Sequence, residues 1–238
     1  MCQGMDKQLF CSILVLYRFL KMMPGSQHRA GIPVPLIMTN VSLEKLVKRG
    51  AIWRGQQDVT AVETVEPTGW ESLDALIGGW PRGALTELLS NRNSGLPLLM
   101  PALSSLSRTE RWLLWTAPPH LPYAPALAAR GVQMERVLVI REASHAQRLW
   151  AAEQAMRSSA CAAVMAWFEH LETAPLRRLQ LAAEQGGCLG ILFRPISAIR
   201  QNSPAALRLR VVPTAAGFDV EVLKRRGGWG GGRCLIRP

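Results

Sequence analysis

Acidic residues are scarce in this chain: 17 aspartates and glutamates stand against 28 lysines and arginines in 238 residues, a formal net charge of +11. With a pI near 10.3, that balance disfavours a basic partner. It points to an acidic one, nucleic acid or an acidic protein surface, against the plain alternative of a solvated basic surface with no specific target. Paired cysteines are missing too. Cys2, Cys11, Cys161, Cys188 and Cys234 form no Cys-x-x-Cys pair and have no histidine close by. This argues against a zinc or disulfide framework and for a reducing compartment, so a cytoplasmic location is expected. Cys161 and Cys188 open apolar, strand-like segments, where cysteine acts as a small hydrophobe. The four histidines, His28, His120, His145 and His170, are isolated and offer no metal-ligand spacing. The apolar run at residues 9–20 is broken by Arg18 and falls short of the roughly 20 residues a membrane span needs. No Ser-His-Asp, paired-carboxylate or Cys-His constellation is visible, and Glu169, His170 and Glu172 read only as a charged helix entrance.

What is present supports a packed domain, since 48% of the residues are hydrophobic. Residues 1–37 differ from the rest. Lys7 precedes the apolar run, but no small-x-small cleavage site follows closely. A Gly/Pro-rich stretch then leads to Met38. There Ser42 can cap a short helix with Leu43, Leu46 and Val47 on one face and Gly50 at its end. The expectation is that translation starts at Met38 and that residues 1–37 are upstream sequence; the alternative is a membrane-touching amphipathic leader. Residues 38–63 then form a helix and linker.

From residue 84 onward apolar strands and helices alternate. Strands are predicted at 84–89, 112–116, 137–140, 161–166 and 188–193. Helices are predicted at 98–106, 123–130, 144–158 and 174–185, the last capped by Thr173 and stopped by Gly186-Gly187. Strands at 207–212 and 218–223 flank a turn and read as a hairpin. The fold class is therefore α/β: a mainly parallel sheet with helices on both faces and a C-terminal antiparallel hairpin at its edge. Residues 64–224 make this core. Residues 225–238, RRGGWGGGRCLIRP, read as a basic, Gly-rich flexible tail. Among the tryptophans, Trp112, Trp115, Trp150 and Trp167 are expected mostly in the core, and Trp70 and Trp80 nearer the surface.

The most informative stretch is 68–97. A turn and short helix lead through Gly-Gly-Trp-Pro-Arg-Gly into the first core strand. A phosphate loop after it would need Gly, four residues and Gly-Lys-Ser/Thr. The chain instead has Ser90, Asn91, Arg92, Asn93, Ser94, Gly95, Leu96 and Pro97. The phosphate-binding lysine and the magnesium-binding hydroxyl are absent, and Pro97 lacks a backbone N–H. The phrase TGWESLDALIGGWPRG resembles the opening of the RecA recombinase core. The order that follows does too: 112–116, Ala117-Pro118-Pro119-His120, Leu127 to Val132, Arg136-Val137-Leu138-Val139 and 161–166. By that resemblance Pro119 replaces the water-activating glutamate, and Ala166 or Trp167 the metal-ordering aspartate. No catalysis and no cofactor are expected.

Two RecA-related families resemble the chain more closely, ImuA and SulA. Both share Arg111-Trp112-Leu113-Leu114-Trp115, Ala155-Met156-Arg157-Ser158, Val164-Met165-Ala166-Trp167 and Gly190-Ile191-Leu192-Phe193-Arg194-Pro195. SulA-like proteins are short and largely lack the entrance and the closing hairpin. The flanks here, including Ile52-Trp53-Arg54-Gly55 and Val222-Leu223-Lys224-Arg225-Arg226-Gly227-Gly228, resemble ImuA. That resemblance implies a non-catalytic adaptor in the SOS DNA-damage response, supporting error-prone translesion synthesis. Its implied partners are an ImuB-like inactive polymerase and an error-prone replicative-type polymerase, with RecA as a further contact through the shared fold. The alternative is a SulA-like inhibitor that binds FtsZ and blocks septum formation. Arg194, Arg200, Arg208 and Arg210 flank the place of the recombinase's DNA-binding loop. Lys224, Arg225, Arg226 and Trp229 combine charge with an aromatic. Both sets are candidates for single-stranded DNA or partner contact, against a reading as solvated basic edge and solubilising tail.

Overall fold

A computed structural model describes residues 64–91, 94–141, 144–228 and 230–237. The expected start at Met38, the helix after it, and Arg92, Asn93 and Trp229 lie outside the described residues. The described part of the chain begins with a two-stranded antiparallel ribbon, β1 (Val65–Glu66) and β2 (Trp80–Pro81), with helix α1 (Glu71–Ile77) between the two strands in sequence. The Thr-Gly-x-x-x-x-Asp spacing is a structural device here. The Thr68 N–H donates to Asp74 Oδ1 at 2.9 Å, and the Trp70 N–H donates to Thr68 Oγ1 at 3.1 Å. Gly69 has φ +77°, and a Cβ there would stand 2.3 Å from the Pro101 Cβ, so only glycine admits this approach to the next helix.

Eight described strands form the main sheet. They are β3 (Ala84–Ser90), β4 (Trp112–Thr116), β5 (Val137–Ile140), β6 (Cys161–Trp167), β7 (Leu189–Pro195), β8 (Leu207–Thr214), β9 (Gly217–Arg225) and β10 (Arg233–Ile236), in the order β10-β9-β8-β3-β7-β6-β4-β5. The strands from β8 to β5 are parallel, whereas β9 and β10 pair antiparallel at one edge. Helices α2 (Leu96–Ser107) and α3 (Ala124–Ala129) bury one face of the sheet. Helices α4 (His145–Arg157) and α5 (Thr173–Gly186) bury the other. The central strands β3 and β6 are buried along their whole length, as a doubly covered sheet requires. The expected mainly parallel sheet with an antiparallel edge is therefore observed.

Several local expectations need correction. The tail is not a flexible appendage: residues 233–236 return to pair with β9, and Ile236 is buried. Gly227 and Gly231, both with positive φ, permit that return. Trp80 is fully buried rather than exposed, because the Gly78-Gly79 turn folds β2 onto the core. Trp150, expected in the core, lies on an exposed face of α4. Helix α5 begins at Thr173 itself, with Glu172 at the cap position, and ends on Gly187 in the left-handed region. Helix α2 starts at Leu96, two residues before its expected start, with Pro97 in its first turn.

Candidate functional site

The carboxyl ends of parallel strands open a crevice where α/β sheets hold ligands. Here it is a cavity of about 710 Å³ reaching from Ser90 on β3 to Ala117 after β4, Trp167 on β6 and Phe193 on β7. Trp167 stacks on Phe193 with ring centres 4.4 Å apart and planes 5° from parallel, and Trp115 lies 5.8 Å from Trp167 on a tilt. Trp167, which with Ala166 is one of the two candidates for the metal-ordering position, is thus part of a buried aromatic stack. Ala117, just past β4, has φ +51°, an uncommon conformation for a residue with a Cβ, and its N–H donates to the Ile140 carbonyl at 2.8 Å.

The loop that would cradle phosphate is tied to itself. Ser90, buried at the end of β3, accepts from the Ser94 N–H at 3.1 Å, and the Ser94 hydroxyl donates to the Asn91 carbonyl. Gly95 is buried, with its Cβ position 3.1 Å from Leu88 Cδ1. Leu96 and Pro97 then enter α2 directly. The Ser94 N–H is thus already engaged within the chain.

A second cavity of about 300 Å³ adjoins the first and shares Glu169, His170 and Ser197 with it. Behind it lies the most heavily bonded polar cluster among the described residues. Glu87 on β3 is fully buried. Its Oε1 accepts from Arg194 Nη1 at 3.0 Å and its Oε2 from Arg208 Nε at 2.5 Å. Arg194 Nη2 donates to the Leu171 carbonyl at 3.2 Å and to Gln201 Oε1 at 2.7 Å. Gln201 donates in turn to the Leu171 carbonyl at 2.7 Å. Arg208 Nη2 donates to the Ala198 carbonyl at 2.9 Å. The two arginines thereby fix the 3₁₀ turn Ile196–Arg200 and the segment after β6 against the sheet.

Arg194 and Arg208 are therefore removed as surface contacts. Held in these ion pairs, both guanidiniums lie beneath the outer surface, where a nucleic-acid backbone would run. Arg200 and Arg225 are exposed; Arg225 donates to the Leu76 carbonyl. Arg210 is half-buried and pairs with Glu221, and exposed Arg226 pairs with Glu184. Lys224 donates to the Ser203 carbonyl at 2.7 Å. Its ammonium is held below the ordinary lysine range, first by burial and then by the positive charges of Arg208 and Arg226. The described candidate basic residues thus differ in burial and in the partners that hold them. Reading the sequence missed Glu87, the hub of the cluster. Its signal was a charged residue in the middle of the predicted buried strand 84–89. Among the described residues no group of acidic, histidine or cysteine side chains could hold a metal ion, and no helix is long and apolar enough to cross a membrane.

Comparison with known proteins adds two kinds of likeness. The family model described as cell division inhibitor SulA matches residues 83–190. The chain is 37% identical over 98 residues to a cell division inhibitor SulA of Edwardsiella piscicida, covering 41% of this chain and 58% of that protein. It is 28% identical over 131 residues to a cell division inhibitor SulA of Yersinia pestis, covering 54% and 78% respectively. In structure it is similar to the RadB recombinase, with TM-score 0.58 and 15% identity over 72% of this chain and 95% of that one. The recombinase likeness shows the fold. The match to the family model falls on the segment from β3 into β7.

Proposed function

We propose that this chain acts by binding a protein partner on a RecA-type scaffold without turning over ATP, and that it is a SulA-like division inhibitor whose partner is FtsZ. The observation that carries the partner is the match of residues 83–190 to the SulA family, which the ImuA reading lacks. The non-catalytic part rests on the loop closed between Ser90 and Ser94 and on the aromatic stack at Trp167. Such a protein would work in the cytoplasm during the SOS response, blocking septum formation while DNA is damaged.

A second reading, an ImuA-like adaptor for an ImuB-like inactive polymerase and an error-prone replicative-type polymerase, is favoured by a different observation. The described elements on either side of residues 83–190 are built into the core. Trp80, Leu209, Val220, Val222 and Ile236 all join the same buried cluster as α2. RecA and single-stranded DNA remain candidate contacts in that reading, the latter through Arg200, Arg225 and Arg226.

The deciding experiment offers purified FtsZ and an ImuB-like protein as competing baits to the full chain, with FtsZ assembly followed in parallel by light scattering. Retention of FtsZ with loss of assembly is expected. Retention of the ImuB-like protein alone would replace the first reading with the second, and retention of neither would remove both.

A further inference from the structure

The Glu87 cluster is unbalanced. Two buried guanidinium groups, Arg194 and Arg208, share one carboxylate, which leaves a net single positive charge among groups almost wholly removed from water. Carbonyl oxygens from Leu171 and Ala198 and the Gln201 amide soften that imbalance with dipoles but bring no negative charge. Arg194, 1% exposed, also has an Nε buried without an acceptor among the described residues. An unmatched buried cation and an unmade hydrogen bond are both costly. Arg194 is not sealed in apolar packing, however. It lines the cavity of about 300 Å³, together with Gln201, Ser197 and His170. A cavity lined by Arg194, Ser197 and His170, against a cluster with one unmatched positive charge, is suited to a small anion.

We propose that this cavity is a carboxylate-binding site, filled by an acidic side chain of a protein partner that reaches Arg194 from the crevice. The partner part of this inference rests on the protein-binding function proposed above; the anion site itself does not. A single carboxylate would neutralise the cluster, whereas a dianion would overshoot it and meet Glu169 and Glu172. Those two glutamates line the cavity and are exposed; their repulsion acts on a single carboxylate too, but less strongly than on a dianion. In the neighbouring loop the Ser94 N–H is already given to Ser90 Oγ.

The test uses acetate as the probe on the full chain labelled with nitrogen-15. The arginine Nε–Hε resonances are followed at constant ionic strength as chloride is exchanged for acetate. One buried arginine resonance, assigned to Arg194 by through-bond correlation, should shift saturably with acetate. In Gln201→Glu, which supplies an internal carboxylate to the same guanidinium, the acetate response should vanish while the amide spectrum remains folded. An Arg194 resonance that ignores acetate in the wild type overturns the site. So does an undiminished response in folded Gln201→Glu. If inorganic phosphate shifts the resonance and acetate does not, the site is a phosphate site and the carboxylate assignment is wrong. None of these outcomes depends on whether FtsZ is the partner.

Discussion

Arg208 and Arg210 lie two residues apart on β8 and on the same face of the sheet, yet they belong to different regions. Arg208 lies under the 3₁₀ turn Ile196–Arg200, within hydrogen-bonding reach of Glu87, and its side chain is 8% exposed. Arg210 pairs with Glu221 on β9 and is 43% exposed. Alternation along a strand fixes which way a side chain points. It does not fix how deep the side chain lies, because depth depends on what packs over the strand. One arginine organises the centre of the sheet, and the other decorates its antiparallel edge.

Removing the carboxylate from each pair should break the symmetry most sharply. Glu87→Gln leaves two buried guanidiniums without a counter-charge and should cost about 3–5 kcal/mol. Glu221→Gln should cost about 0–1 kcal/mol, as exposed pairs do. Urea denaturation of both variants, with the slope checked against wild type, measures the difference. Equal losses would mean that burial does not separate the two regions.

This contrast also marks what could be read from the sequence. Strands β4 and β5 fall at their expected residues, and β3, β6 and β7 within two residues of theirs, because buried parallel strands are continuous apolar runs bounded by turns. The departure of residues 90–97 from the phosphate-loop pattern is plain in the sequence because it lies in one short, fixed spacing. Arg194 and Arg208 were misplaced at the surface because the acid that pairs with them, Glu87, is 107 residues from Arg194 and 121 from Arg208. No local pattern joins such residues. Trp80 was misplaced for a related reason: its loop looks polar and Gly-rich, and only the ribbon with β1 turns it inward.

The edge itself supplies the intermediate test. β10 follows a glycine-rich segment that composition marks as flexible, yet Ile236 is 1% exposed and packs in the core cluster reached from β8 and β9. Ile236→Ala should cost about 2 kcal/mol, the low end for such truncations because an edge strand can relax around the gap. Thermal melting followed by circular dichroism would report it. An unchanged melting temperature would return residues 225–238 to the status of a loose tail.

The smallest effect concerns the ion pair that fastens β10 to β9. Arg233 pairs with Asp219 across the strand pair, and its hydrogen bonds hold the Asp219 carboxyl below the ordinary aspartate range. A carboxyl depressed in the folded state contributes stability that is present above its unfolded pKa and lost as pH falls through the folded one. The pair lies at the surface, so its effect on global stability is slight. The titration of Asp219 itself is the sensitive readout. Its carboxyl carbon shift, followed from neutral to acid pH, should show a midpoint below the usual value in the wild type. In Arg233→Ala the midpoint should move upward toward the ordinary range. No movement would mean that β10 does not hold Arg233 against Asp219. The antiparallel edge would then end at β9, and the basic charge of residues 225–237 would be available to a partner instead of being engaged within the fold.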